Sequence, residues 1–519
     1  MTATTRHAIQ LAQLREDRAT RVMIDEIPVL LVRQGDTVHA FSADCPHAGA
    51  PLEEGAVCNG HIVCPWHKGT FDIATGNVLQ PPALSALDRY PVTISNGEVS
   101  VTPQKVPRHE NTLTFTDTPK FVVIGAGAAG TAACTTLRDG GFAGQIALIG
   151  DEEHAPYDRT ALSKFVPSGE MTINDVPPLM PPEWFEQQHI ERISGTVAEL
   201  NVAQRIIRLT DGREFPYDEA LLASGSHPRM PPLPGHDLKH VHVLRNLHDA
   251  KALCESIDKD KPVAVIGSSF IGLEVTAALR KRGNPVTVIA PESIPFERLF
   301  GAKLGAMFQH LHESNGVVFR LNEKVSELAG NTSVQEVVLE SGARVPASMV
   351  LLGVGVSPAT HFVKELPLQK DGGVLVNAGM QAAPGLYAAG DVAAFPLYEH
   401  QDPVRIEHWR VAQQQGVIAA QNMVGARHRY AAVPYFWTWH YGKTFEYLGH
   451  ASDWDDIQID GDLASLHFLA LYVKAGAVVA VLACEREAAT ARLIEPMQAG
   501  LSAQEALRLA RATEAAHAG

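Results

Sequence analysis

The chain has 519 residues, 45% hydrophobic and 19% charged, with 42 Gly and 33 Pro, the make-up of a globular protein with room for about three or four domains. Its net charge of −15 is spread without a long acidic or basic run, which argues against nucleic acid as a partner. The first residues, MTATTRHAIQLAQLRED, lack an apolar core of secretory length, and no continuous apolar run reaches about eighteen residues, so neither export nor a membrane span is expected and a cytoplasmic setting is. Four of the six cysteines (Cys58, Cys134, Cys254, Cys484) are scattered as reduced, structural thiols would be.

From residue 8 to 102, short segments such as Pro28-Val29-Leu30-Leu31-Val32 and Gly97-Glu98-Val99-Ser100-Val101 alternate with turn residues, which predicts a small all-β unit. Within it stand Cys45-Pro46-His47 and, sixteen residues later, Cys64-Pro65-Trp66-His67. Two thiolates and two imidazoles in this order suit a Rieske [2Fe–2S] centre, with Cys45 and Cys64 on one iron and neutral His47 and His67 on the other. Gly49, Gly55, Gly60 and Gly69 would let two loops close tightly over it. A structural zinc site takes the same residue types. Zinc fingers, however, group cysteine with cysteine, whereas each loop here supplies one of each. A polar stretch, Pro103 to Pro119, then reads as a linker, which divides residues 1–104 from 105–119.

Next, the apolar run Lys120–Ile124 leads into Gly125-Ala-Gly127-Ala-Ala129-Gly130 and a helical pattern over Thr131–Arg138. Between a strand and a helix, such a turn predicts a pyrophosphate site. The strand Gln145–Ile149 then ends at Asp151 and Glu152. Asp151 is the candidate for an adenosine ribose, and Glu152 reads as solvated. The pattern recurs at Pro262–Ile266, then Gly267-Ser-Ser269-Phe-Ile271-Gly272-Leu-Glu274, a helix to Arg282 and a strand Val286–Ile289. Two such turns imply two dinucleotides, most simply FAD and a nicotinamide. Strands over Leu466–Val473 and Val478–Ala483, then an Ala/Glu/Arg-rich helix, close the chain.

The segment Cys45 to Gly76 resembles the Rieske ferredoxins that feed bacterial oxygenases. The respiratory type carries a disulfide between its loops, and Ala50 and Trp66 stand in those places here. The resemblance therefore implies a potential near the low end of the Rieske range, about −150 mV. Residues 120 to about 510 resemble the pyridine-nucleotide-dependent flavoprotein reductases, the ferredoxin reductases of oxygenase systems and the apoptosis-inducing factors. Carrying that resemblance are Pro156-Tyr-Asp-Arg159 through Leu162-Ser-Lys164, Leu221–Gly225 with Pro228-Arg229, Gly385–Asp391, and Arg405–Trp409 as the start of a helix. The strand end Val350–Pro358 and the segments Val433–Thr438 and Gly442-Lys443 belong to the same pattern. With the Rieske unit in front, the whole chain is similar to the Rieske-containing, apoptosis-inducing-factor-3-like reductases.

The resemblance implies a multidomain fold: an all-β Rieske domain, two Rossmann-like α/β nucleotide-binding domains and a C-terminal α+β interface domain. FAD would take residues 120–240 and 366–428, NAD(P) residues 241–365, and the interface domain residues 429–519. FAD contacts are implied at Gly125, Gly127, Ala129, Gly130, Asp151, Arg159, Lys164, Val197, Arg245, Gly390, Asp391 and Trp409. Nicotinamide contacts are implied at Gly267, Ile271, Gly272, Glu292 and Gly355, with Lys164 and Glu274 paired beside flavin N5. Ala290 stands where the family's NADH-selecting acid would end a strand, so NADH rests on Glu292, with NADPH as the alternative. The implied activity passes a hydride from NAD(P)H to FAD, then single electrons to the cluster and an external acceptor such as an oxygenase or cytochrome P450. His47 and His67 are the expected exit port, and the protein a monomer or homodimer. The other reading is an NADH-sensing interaction protein with slow turnover.

Overall fold

The computed structural model describes residues 4–107, 113–397 and 402–518, so part of the predicted linker lies outside the described residues. Ahead of that linker the chain is all β. Thr20–Ile24, Ile27–Gln34, Thr37–Ser42 and Arg89–Tyr90 form one antiparallel sheet, and Arg6–Gln10, Glu98–Val101 and Val92–Ser95 another. Val29–Val32 is buried throughout because successive side chains enter different cores. Leu30 and Val32 join Phe41 and Phe71, whereas Val29 and Leu31 join Val99 and Val101.

A further layer, Ala56–Cys58, His61–Val63, Thr70–Asp72 and Val78–Gln80, carries the ligand loops beside it. Both loops close in the same way. Cys45 N–H donates to the Ala50 carbonyl and Cys64 N–H to the Gly69 carbonyl, each at 2.8 Å. Four residues after each cysteine the backbone turns left-handed, at Gly49 (φ +74) and Lys68 (φ +59). A glycine there costs little, but a lysine needs a compensating interaction.

The flavoprotein part uses one plan twice. In the first sheet the order is Ile190–Ser194, Gln145–Gly150, Lys120–Ile124, Glu219–Leu222, Leu386–Ala388 and Gln381–Ala383, parallel except for the last strand. In the second it is Val241–His242, Met349–Leu352, Val263–Ile266, Val286–Ala290 and Val318–Leu321, all parallel. Helices Ala128–Asp139 and Phe270–Arg282 follow the glycine turns. Gly125 (φ +108) and Gly267 (φ +99) occupy equivalent bends, where a Cβ would lie 2.1 Å from the Ala223 oxygen and 2.4 Å from the Gly353 oxygen. Ser269 replaces the middle glycine of the second turn because it caps the helix, its Oγ accepting from Gly272 N–H at 3.2 Å.

The last unit is a five-stranded antiparallel sheet, ordered Tyr435–His440, Lys443–Gly449, Ala477–Cys484, His467–Lys474 and Asp456–Asp462, with helices Glu487–Leu493 and Ala503–Ala518. Its core is continuous with the N-terminal unit, since Ala56, Cys58 and Val63 pack with Tyr435, Leu469 and Leu493. Helix Trp409–Met423 starts four residues later than the expected Arg405. Arg405 is held outside it by Asp371 at 2.7 Å and the Asp391 carbonyl at 3.0 Å. That helix lies against Ala128–Asp139 so closely that a Cβ on Gly416 would sit 2.2 Å from the Ala129 oxygen. Replacing Gly416 with Ala should therefore force these helices apart and lower stability by about 1–3 kcal/mol, seen as a lower Tm in thermal unfolding.

Candidate functional site

The strand Tyr435–His440, with sequence YFWTWH, organises the site through its twofold alternation. Trp437 and Trp439 both border a cavity of about 940 Å³ that Lys164, His47 and His67 share. Phe436 borders a second cavity, of about 310 Å³, while Thr438 turns to Glu274. Trp437 lines both spaces, and its ring centroid is 4.2 Å from that of His67.

At the loop pair, the four sulfur and nitrogen donors divide two by two. His47 Nδ1 and His67 Nδ1 are 3.1 Å apart, with their rings edge to face. Cys45 beside it, the His67 and Trp66 backbone N–H groups and the Lys68 charge hold the Cys64 thiol below its ordinary value despite burial. Burial holds both imidazoles in the neutral form, which is the ligand form. Among the described residues no three such side chains converge on one ion, and a two-plus-two set does not require it. This arrangement fits a pair of irons, one on each side.

The loops are locked to the last sheet by buried charge. Lys68 is 0% and Glu446 1% exposed, with Nζ to Oε1 at 2.6 Å. Lys68 also donates to the Pro65 carbonyl and, at 3.3 Å, to that of Glu487. The Tyr435 hydroxyl lies 2.6 Å from the Trp66 carbonyl and 2.7 Å from Glu446 Oε1, and Thr490 donates to Oε2 at 2.5 Å. Burial pushes the Glu446 carboxyl up against the pull of Lys68. From the opposite side, Arg410 donates to the Pro81 and Lys68 carbonyls at 2.7 and 2.9 Å.

In the 310 Å³ cavity the first glycine turn meets the Gly390-Asp391 turn. Asp391 is held by Arg245 at 2.9 Å. Lys164 Nζ is 3.1 Å from Glu274 Oε2, and both side chains are buried. Glu274 further accepts from Ser163 at 2.5 Å and Thr438 at 2.7 Å. Arg245 Nε, Trp409 Nε1, His408 Nδ1 and Ser226 Oγ, on residues that line this wall, are buried without partners. Buried donors need acceptors, so the wall fits an acceptor-rich ligand such as FAD. Gly127, at the mouth of the turn, has nothing within 4 Å of a Cβ position, which leaves the close approach that a pyrophosphate needs.

Of the expected FAD contacts, Gly125, Gly127, Ala129, Asp151, Arg159, Lys164, Arg245, Gly390, Asp391 and Trp409 line this cavity. Gly130 lies behind it in the helix, where a Cβ would sit 1.9 Å from the Gly125 oxygen. Val197 is not brought there, because it is buried in an antiparallel sheet opposite Leu209. Ile271 lines the cavity, whereas Gly267, Glu292 and Gly355 lie outside it on the second sheet's turns and Gly272 in the first turn of helix Phe270–Arg282. Gly355 (φ +90) has open space at its Cβ position, which leaves room for a nicotinamide nucleotide. Glu152 is not merely solvated: it accepts from Tyr157 at 2.6 Å and Arg159 at 2.5 Å and faces the cavity. Nor do His47 and His67 point outward together, since His67 is turned onto Trp437. The sequence reading missed Lys68, Glu446 and Trp437; the alternating aromatic strand was the available signal.

Comparison with known proteins agrees with this layout. A Rieske [2Fe-2S] domain model matches residues 6–91, a pyridine nucleotide-disulphide oxidoreductase model residues 119–416, and a reductase C-terminal model residues 435–514. Apoptosis-inducing factor 3 of Mus musculus is 34% identical over 490 residues, covering 91% of this chain and 80% of that protein. Putidaredoxin reductase CamA of Pseudomonas putida is 32% identical over 368 residues, 69% of this chain and 87% of its own. The structure resembles the putidaredoxin reductase in its covalent complex with putidaredoxin, with TM-score 0.72, 30% identity, and coverage of 76% of this chain and 96% of that one.

Lys68→Met should strand Glu446 at the seam and weaken docking of the Rieske unit by about 3 kcal/mol. Limited proteolysis should then cut between residues 103 and 119 faster than in the parent, while the paired change Lys68→Met with Glu446→Leu recovers much of the loss.

Proposed function

The chain belongs to the pyridine nucleotide-disulphide oxidoreductase family and carries a Rieske [2Fe–2S] domain ahead of that part, and from this premise we propose how its residues share the work of an NAD(P)H-dependent flavoprotein reductase. When bound, FAD accepts a hydride from the nicotinamide, and the Rieske cluster relays single electrons to a protein acceptor. The Gly125–Gly130 turn and its helix hold the FAD pyrophosphate, Asp151 the adenosine ribose and Asp391 the ribityl chain. Buried Lys164 supplies a fixed positive charge at the reacting ring, and Glu274 orients its ammonium. Gly267, Gly272 and Gly355 hold the nicotinamide nucleotide, with Glu292 on its ribose, which favours NADH over NADPH.

Cys45 and Cys64 hold one iron, His47 and His67 the other. The contact of His67 with Trp437, a residue that also lines the flavin cavity, is the observation that carries the relay. It makes His67 the receiving side. Pro46 and Ala48, which flank His47, are exposed, so the acceptor docks at the His47 side. The relay is complete within one chain, for which a monomer suffices. A relative named as the reductase subunit of the benzene 1,2-dioxygenase system and a structural neighbour named as the ferredoxin reductase for the CYP199A2 system support an oxygenase or a cytochrome P450 as the acceptor. No described helix is long and apolar enough to cross a membrane. Outside the cluster loops, Cys58, Cys134, Cys254 and Cys484 are unpaired thiols, which supports a reducing, cytoplasmic setting.

Replacing His67 with Ala should abolish NADH-driven cytochrome c reduction; full retained activity would mean that the Rieske unit is bypassed. Lys164→Ala should slow flavin bleaching by NADH at least roughly tenfold in stopped flow. In a redox titration the cluster should show a potential of about −150 mV, and a value well above zero would contradict the comparison drawn at Ala50 and Trp66.

A further inference from the structure

Oxidation of NADH by one-electron acceptors leaves a proton behind, since NADH → NAD⁺ + H⁺ + 2 e⁻. Beside Lys164 and Glu274 that proton is set down at side chains that are themselves only 5% and 4% exposed. We infer that Thr438, His440, His312 and Tyr441 form a relay that carries this proton from Glu274 to the surface. The inference rests on Lys164 and Glu274 being the pair beside the reacting ring.

The contacts run in series. The Thr438 hydroxyl lies 2.7 Å from Glu274 Oε1 and 2.9 Å from His440 Nε2. His440 and His312 stand edge to face with ring centroids 5.1 Å apart. His440 Nδ1 and His312 Nε2 are both buried without a side-chain partner, with the Leu273 carbonyl near His440, and the facing rings mark the gap that the proton crosses. His312 Nδ1 is 2.9 Å from the Tyr441 hydroxyl, and Tyr441 is half-buried at the hairpin turn between Tyr435–His440 and Lys443–Gly449. Each transfer breaks one O–H or N–H bond and forms another, and no electron moves. A Glu274 carboxyl proton passes to Thr438 Oγ1 as the Thr438 proton passes to His440 Nε2; His440 Nδ1 then releases, His312 accepts, and Tyr441 exchanges with solvent.

The surroundings make these two histidines conspicuous. Phe308, Phe319 and Phe445 rings pack on them, and both are 0% exposed. Two imidazoles with orphaned nitrogens are a poor choice for filling an aromatic core. Burial pushes His440 down to about 3 and His312 well below the usual histidine range. Both therefore rest neutral, with one nitrogen able to accept while the other donates.

The test follows proton release with a pH indicator, in weakly buffered solution, as the holoenzyme turns over one NADH with ferricyanide. Thr438→Val removes the hydroxyl at nearly constant shape and should delay the proton roughly a hundredfold, as should His440→Phe, whereas Thr438→Ser should restore the parental rate. Release at the parental rate in both Thr438→Val and His440→Phe would overturn the relay. Nitrogen-15 NMR of the oxidised holoenzyme gives an independent reading. Loss of the Thr438 hydroxyl should shift the His440 Nε2 resonance, and an unmoved resonance would contradict the contact. Flavin bleaching in the same experiments separates the underlying reading, because unchanged bleaching in Lys164→Ala would remove the Lys164–Glu274 assignment itself.

Discussion

The buried ion pair between Lys68 and Glu446 is the constraint on which the architecture turns. Lys68 follows the ligand His67 directly, in a left-handed position that the sister loop gives to Gly49. Breaking such a pair costs more than forming it contributes, so it acts chiefly on geometry. It fixes which face of the N-terminal unit meets the flavoprotein, and therefore which imidazole meets Trp437. Arg410, on the helix that closes the flavin cavity, reaches the Lys68 carbonyl from the other side. The cluster loop is thus gripped by both elements that border the flavin.

One six-residue strand then connects the separate tasks. Along Tyr435–His440, Tyr435 completes the charge clamp, Trp437 bridges the two cavities, and Thr438 reaches the Lys164–Glu274 pair. Because alternation is built into a strand, a shift of one residue would exchange these roles. The order of a single strand thereby places the contact with His67 and the contact with Glu274 on opposite faces. Tethering and docking together replace a diffusional encounter between reductase and ferredoxin with a contact formed on folding.

The local chemistry was legible in the sequence. Cys45, His47, Cys64 and His67 declare themselves by order and spacing, and both glycine turns by their place between strand and helix, because those signals depend on neighbours within a few residues. The Lys68–Glu446 pair was not legible, since its partners are 378 positions apart and neither residue type is unusual in itself. Glu152 looked like a solvated acid until Tyr157 and Arg159 were seen to hold it.

The central claim is that this seam holds donor and cluster together within one polypeptide. Mixing the enzyme with excess NADH and following the cluster's own absorbance, over a wide range of protein dilution, tests it most directly. A docked relay gives a cluster-reduction rate that does not change on dilution. A rate that falls in proportion to protein concentration would mean that electrons cross between separate chains, and would contradict the account.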